Sequence, residues 1–236
     1  MIANEKQARL CQVGAICAFV AGFCYVLVVG CAFLSPQSIA SYVSSEQYFK
    51  DFKGYRSIFI VLKGLLMVAN IAFIGVVLAF QSLARDKNYG IVTFFSVLAL
   101  VGFAVGVLQS IMDLSMVPYL ATQYEMGSIH VKEVIIALGV ANPSLYIISL
   151  GLPGLWFVLL SLLAINHPKI PRLLVLLGLL WGIGNLVTVV AHVFVIIWLI
   201  YLVAFGALCA APIWSLWEGL FLWKIAKKKL DVEHVL

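Results

Sequence analysis

The chain has 236 residues, a formal net charge of +5, 64% hydrophobic residues, 11% charged residues and a mean hydropathy of +1.11. This composition excludes a water-soluble domain, in which about a quarter of the residues are charged. The apolar runs are long and do not alternate with period two, which excludes a membrane barrel. The basic residues lie at the ends of these runs, as membrane topology requires, so no nucleic-acid partner is expected. We therefore predict an all-α membrane protein whose surroundings are the lipid bilayer.

Six apolar segments are long enough to cross a bilayer as helices, since a crossing takes about 20 residues. They are predicted within a single domain, 1–236, at about residues 10–34, 57–82, 90–117, 144–165, 171–192 and 196–223. The last two belong to one apolar stretch, 173–223. As a single helix it would reach about 75 Å, far beyond a bilayer core of about 30 Å. A turn is therefore predicted at about residues 192–196.

Two of the predicted connections are long. Residues 35–56 carry apolar side chains, among them Phe49 and Phe52, near helical spacing with charged residues between them. This pattern predicts a short amphipathic helix in the first outer loop, lying on the membrane surface. In the second long connection, 118–143, the stretch 134–141 is apolar but too short to span, which predicts an interfacial or re-entrant segment.

The distribution of Lys and Arg predicts the orientation. With six spans, the side that holds both termini carries most of these residues, namely Lys6, Arg9, Arg85, Lys87, Lys169, Arg172, Lys224, Lys227, Lys228 and Lys229. The opposite side carries only Lys50, Lys53, Arg56 and Lys132. Both termini are therefore expected in the cytoplasm. The expected location is the cell (plasma) membrane, as a multi-pass protein of a bacterial inner membrane.

Polar side chains inside the spans are costly in lipid and are the candidates for a ligand-binding site. They are Lys63, Asn70, Gln109, Asp113, Asn185 and His192. The second, third and fifth spans each contribute two of them, and the two share a helix face because they lie four or seven residues apart. In the third and fifth spans that face also carries a pair of glycines, which lets helices approach closely. We predict a polar pocket in the outer half, between spans two and five.

Three classes of function remain open. The first is binding or transport of a small molecule, a lipid or an ion through the outer pocket. The second is a helper or structural subunit that contacts a membrane-protein partner or a second copy of the chain. The third is an intramembrane enzyme using Asp113 and His192, with His130 as a third group. Because the sequence carries no recognised catalytic motif, we predict no enzyme and no cofactor or metal site. Lys63 and Asp113 would serve equally as a purely structural ion pair.

Glu218 stands apart from the outer residues, near the inner end of the last predicted span. Lys224 and Lys227 follow it on the same helix, and several tryptophans surround it, as in an interfacial aromatic belt. This pattern predicts a topological anchor at the membrane surface, neutralised by the nearby lysines.

Four short stretches carry a resemblance to a known family, at residues 44–49, 84–88, 171–174 and 212–223. Over roughly residues 9–223 the chain resembles a bacterial family of six-helix integral membrane proteins catalogued only as a domain of unknown function. The resemblance implies the helical fold and an acid in the last helix, matched by Glu218, but no activity. The chain departs from the family pattern at Ser96, where a basic residue is expected, and at Trp156, where a histidine is expected.

Overall fold

The computed structural model describes residues 2–36, 45–84, 89–138, 143–165, 170–194 and 196–233. Over these ranges the chain is helical and contains no strand, which confirms the all-α prediction. The described helices are α1 (Ile2–Leu34), α2 (Glu46–Ala84), α3 (Tyr89–Met126), α4 (Ile129–Leu138), α5 (Pro143–Ala164), α6 (Arg172–Val193) and α7 (Ile197–Glu233).

Among the described residues five helices, not six, are long and apolar enough to cross a membrane: α1, α2, α3, α5 and α6. Over the residues that the structure describes, the count is therefore five where six spans were predicted. The sixth predicted segment, 196–223, lies in α7. That helix, which contains Pro212, is not among the five over the residues that the structure describes. The five apolar helices indicate a membrane-embedded protein.

Several helices extend beyond their predicted ends. Residues 46–56, expected in a separate amphipathic helix, are instead the first turns of α2, and residues 37–44 lie outside the described residues. Helix α3 runs through Pro118 to Met126, where a connection was expected. The segment expected to be interfacial or re-entrant, 134–141, begins within α4, which covers residues 129–138, and 139–142 are not described.

The extensions of α2 and α3 pack against each other through aromatic residues. Their shared cluster, which also includes one residue of α4, consists of Tyr48, Phe49, Phe52, Phe59, Val117, Ala121, Tyr124 and Ile135. Phe49 stacks on Tyr124 with ring centroids 4.7 Å apart. Burying such rings is worth more than laying them on a membrane surface, because each loses most of its contact with water. This cluster explains why both helices continue past the expected span ends.

The six longest helices form a ring in the order α1, α2, α3, α5, α6 and α7, with α7 returning to α1. Aromatic rings fill the interior, and Trp181 and Trp214 lie 5.6 Å apart there. Close helix contact is made where glycines occur, as predicted: a Cβ on Gly102 would meet the Pro153 ring, and one on Gly182 would lie 2.9 Å from the carbonyl oxygen of Gly154. We call the end of the ring that holds the N-terminus of α1 the proximal end and the opposite end the distal end.

Candidate functional site

Two opposite charges meet inside the ring near its distal end. The Nζ atom of Lys63, on α2, lies 2.5 Å from Oδ2 of Asp113, on α3. The two residues are only 3% and 7% exposed. An ionised side chain in an apolar interior is tolerated only with a partner, so each residue supplies the counter-charge that the other requires. The predicted contact between these two residues is confirmed.

A tyrosine connects this ion pair to α6. Lys63 Nζ donates a hydrogen bond to the hydroxyl of Tyr146, on α5, over 3.2 Å. On α6, the ring of His192 is stacked on the ring of Tyr146, with centroids 5.5 Å apart and planes at 16°. The ammonium also lies 5.7 Å from the centroid of the Tyr146 ring, within cation–π range. Four helices therefore contribute to one polar cluster.

The tautomer of His192 follows from its backbone contact. Its Nδ1 atom lies 2.9 Å from the carbonyl oxygen of Thr188. Because a carbonyl oxygen can only accept, Nδ1 carries the proton. In the neutral imidazole, Nε2 is then an acceptor.

Gln109 joins the cluster one helical turn before Asp113. The hydroxyl of Ser149, on α5, donates to Gln109 Oε1 over 3.1 Å. The amide nitrogen of Gln109 is buried and has no hydrogen-bond partner among the described residues. A buried donor without an acceptor costs about 1–3 kcal/mol, so this amide is a point at which a ligand atom would be stabilised.

Two of the predicted site residues lie outside this set. The side chain of Asn70 donates to the carbonyl oxygen of Leu66 and faces Gly106, whose missing Cβ leaves room for the amide. Asn185 is buried on α6 beside Gly154 of α5. Both residues pack between neighbouring helices and make no described contact with the ion pair. Of the six predicted residues, the structure brings together Lys63, Gln109, Asp113 and His192.

Tyr146 and Ser149 were not predicted. Both lie in the first turns of α5, three residues apart, and therefore on one face. The spacing was visible in the sequence, but a tyrosine near the end of an apolar run is typical of an interfacial anchor. We call the six residues Lys63, Gln109, Asp113, Tyr146, Ser149 and His192 the distal polar cluster.

His130, the third group considered for an intramembrane enzyme, lies outside the distal polar cluster. His130 lies on α4, where its Nδ1 atom is 3.6 Å from a carboxylate oxygen of Glu133, and its side chain is exposed. The described residues contain no group of three or more His, Cys, Asp or Glu side chains that could hold a metal ion. The structure therefore does not bring His130 together with Asp113 and His192.

Glu218 does not lie at the surface as predicted. It is 0% exposed, and neither carboxylate oxygen has a hydrogen-bond partner among the described residues. Lys224 and Lys227 are exposed, and no described ion pair joins either of them to Glu218. The prediction of a surface anchor is wrong because the helix face that carries Glu218 also carries Trp214 and faces the ring interior.

The comparisons with known proteins identify a family but no activity. No curated protein and no solved structure matches the chain. Residues 20–225 match the family described as a domain of unknown function, DUF4386, and this range includes the whole distal polar cluster and Glu218. The chain belongs to the DUF4386 family.

Proposed function

We propose that this protein is a multi-pass protein of the plasma membrane that binds or transports a small molecule, a lipid or an ion through the distal polar cluster. The observation that carries the proposal is the buried ion pair between Lys63 and Asp113, joined through Tyr146 to His192. Charged and polar groups of four helices meet there, and intramembrane ionisable residues mark ligand and ion pathways by default.

A purely structural role would require fewer polar groups than the distal polar cluster contains. One ammonium and one carboxylate neutralise each other, and no further polar group is needed for that purpose. The cluster adds an imidazole, a phenol and the Gln109 amide, whose nitrogen is buried without a described partner. A buried donor without an acceptor is costly, so the Gln109 nitrogen supports a site that also recognises a ligand.

The chemistry of the cluster limits the ligand. Lys63 and Asp113 offer opposite charges, the Gln109 amide offers a donor, and the Nε2 atom of His192 offers a further hydrogen-bonding position. A ligand that carries both a hydrogen-bond acceptor and an exchangeable donor would satisfy these groups, as a zwitterion, a polar lipid headgroup or a hydrated ion does.

The proposed orientation puts both termini in the cytoplasm and the distal polar cluster near the outer surface. Helices α1 and α7 are antiparallel, since a Cβ on Gly22 would meet Leu216 and one on Gly14 would meet Leu222. The start of α1 and the end of α7 therefore lie at the same proximal end. Basic residues concentrate there, as at the cytoplasmic end of membrane helices.

Native mass spectrometry of the purified protein tests the binding proposal. The wild type should carry a stoichiometric bound species, a lipid, a small molecule or an ion. Tyr146→Phe removes the hydroxyl that accepts from Lys63 but keeps the ring on His192, and it should lower the occupancy. Tyr119→Phe, at a 63% exposed tyrosine of α3, is the matched control and should not.

Three results would overturn the proposal. One is a wild type without any bound species. The second is an occupancy that Tyr146→Phe and Tyr119→Phe leave equally unchanged. The third is co-purification of a second membrane protein without a bound small species, which would favour a helper subunit that acts through helix contacts.

A further inference from the structure

Glu218 lies in the ring interior, closer to the proximal end than the distal polar cluster. The direction of the Glu218 side chain follows from that of Trp214, which lies four residues earlier and therefore on the same face of α7. The Trp214 ring lies 5.6 Å from that of Trp181 on α6 and 5.0 Å from that of Phe157 on α5. Trp214 therefore points into the ring, and Glu218 does so one helical turn further toward the proximal end.

Apolar layers enclose the carboxyl group on both sides. The distal layer is Trp214, which also stacks on Phe73 and Phe80 of α2, with centroids 6.3 Å apart in each case. On the proximal side, the next turn of α7 places Leu222 in a buried cluster with Ala15 of α1 and Ala79 of α2. Leu222 is 0% exposed, so this layer separates Glu218 from the proximal surface.

No described charge compensates the acid. The titratable or charged side chains in the described proximal and central parts of the helices packed around it are Glu5, Lys6, Arg9, Cys11, Cys17, Cys24 and Tyr25 of α1, Arg172 of α6 and Lys224, Lys227 and Lys228 of α7. Between Lys63 and its end, α2 carries none. Arg172 and Lys224 are exposed, and among the described residues no ion pair reaches Glu218. An isolated carboxylate in such surroundings would be very unfavourable, whereas the neutral acid is tolerated.

The polar atoms near Glu218 are few and uncharged. Ser215, three residues earlier and on the same side of α7, is 0% exposed, and its hydroxyl has no partner among the described residues. One turn toward the distal end, Gly178 of α6 leaves a gap in which the Ser161 hydroxyl and the Trp214 indole nitrogen both lie within 3 Å of the missing Cβ. A metal cation would need several oxygen ligands, commonly six or more. A proton needs only the carboxylate.

We propose that Glu218 is a proton-binding site, which holds its proton while the carboxyl group is enclosed in the ring. The step is a simple acid–base exchange, in which the carboxylic acid gives a proton to water and the carboxylate takes one back. Gly219, the residue after Glu218, brings α7 close to α1, since a Cβ there would lie 2.9 Å from the Phe19 ring. This proposal does not depend on the distal polar cluster.

Glu218→Gln keeps the shape of the neutral acid and removes the proton exchange, so it is the informative variant. A carboxyl that is neutral in the folded protein and ionised in the unfolded chain releases a proton on unfolding. The stability of the wild type should therefore decrease as the pH rises above about 4.3, the ordinary value for glutamate, by up to about tenfold in the unfolding equilibrium per pH unit. Glu218→Gln should lose this slope relative to the wild type and be the more stable protein at high pH.

Infrared spectroscopy gives a second, direct readout. At neutral pH the wild type should show the carbonyl band of a protonated carboxyl, and the band should be absent from Glu218→Gln. Glu218→Asp keeps a carboxylic acid, so its carbonyl band should remain but shift in frequency. This variant replaces Glu218→Gln in the infrared measurement if the glutamine variant does not fold. Glu133→Gln, at an exposed acid of α4, is the control and should behave as the wild type in both measurements. A band that all variants share, or a glutamine variant with the wild-type pH slope, would overturn the proposal.

Discussion

The ammonium of Lys63 and the carboxylate of Asp113 form an ion pair between α2 and α3, with 2.5 Å between Nζ and Oδ2. The pair is buried, so water does not stabilise either charge when its partner is removed. The contact also joins the two helices near the cluster that their extensions form around Phe49, Phe52 and Tyr124, which we call the distal aromatic cluster. Stability and ligand binding therefore depend on the same two side chains and must be separated by experiment.

A double-mutant cycle measures the structural part. Lys63→Met or Asp113→Leu alone should destabilise the protein by about 3–5 kcal/mol, because each leaves one buried charge without a partner. The double variant is neutral and should recover much of the loss. Thermal unfolding of the detergent-solubilised protein provides the comparison.

The control for this cycle is a second pair on the same two helices. Lys53 and Glu125 lie 3.7 Å apart, but their side chains are 78% and 45% exposed. Lys53→Met should leave the unfolding temperature almost unchanged, as expected for a surface pair. Single variants at Lys63 and Asp113 that unfold like the wild type would show that the two charges are solvated independently.

The contact between α5 and α6 depends on a glycine. A Cβ on Gly182 would lie 2.8 Å from the backbone nitrogen of Val158, which cannot rotate away. Gly182→Ala should therefore separate the helices and cost about 1–3 kcal/mol in the free energy of unfolding. Gly151→Ala, whose nearest contact would be an ordinary 3.6 Å to Val189, is the control. Equal unfolding temperatures for the two variants would contradict the close packing of α5 on α6.

The ion pair was predictable because the sequence leaves few alternatives. Lys63 and Asp113 are opposite charges at similar expected depth in adjacent spans, and lipid tolerates neither alone. Tyr146 and Ser149 were not predictable in the same way. Their role depends on how α5 is rotated about its axis, and an apolar helix with few polar residues does not define that rotation.

The distal aromatic cluster supplies a test of the helix extensions. Phe49→Ala removes a ring that is 2% exposed and stacked on Tyr124, so it should cost about 3–5 kcal/mol. Phe94→Ala, at a ring of α3 that is 59% exposed, is the control and should cost much less. Greater protease sensitivity of the Phe49 variant near residues 46–56 would show that the loss is local. Equal stability of both variants would indicate that residues 46–56 do not pack on α3.

The same segment shows why the sequence was misleading. Phe49 and Phe52 have the spacing of an amphipathic helix, and that spacing is the same whether the apolar face meets lipid or protein. The partner face on α3 lies beyond Pro118, where a helix end was expected. The prediction that Glu218 lies at the membrane surface was wrong for a related reason. A charged residue near lysines at a helix end is usually at the surface, whereas here the direction of Trp214 shows that this helix face points into the ring.

Cysteine labelling tests the proposed orientation. In a variant without the native cysteines, Gln47→Cys lies at the distal end and Lys228→Cys at the proximal end, and both positions are exposed. An impermeant maleimide added to intact cells should label only the first, because the proximal end is proposed to face the cytoplasm. Labelling of the Lys228 position from outside would reverse the orientation.

Ligand occupancy of the double variant Lys63→Met with Asp113→Leu, measured by native mass spectrometry, is the most direct test of the proposed binding function. The variant is neutral, so it should fold and recover stability. If the distal polar cluster binds a ligand, the bound species of the wild type should be lost from this stable variant, because its charged contacts are gone. A stable double variant that retains the same species at the same occupancy would contradict the proposal and leave the ion pair with a structural role.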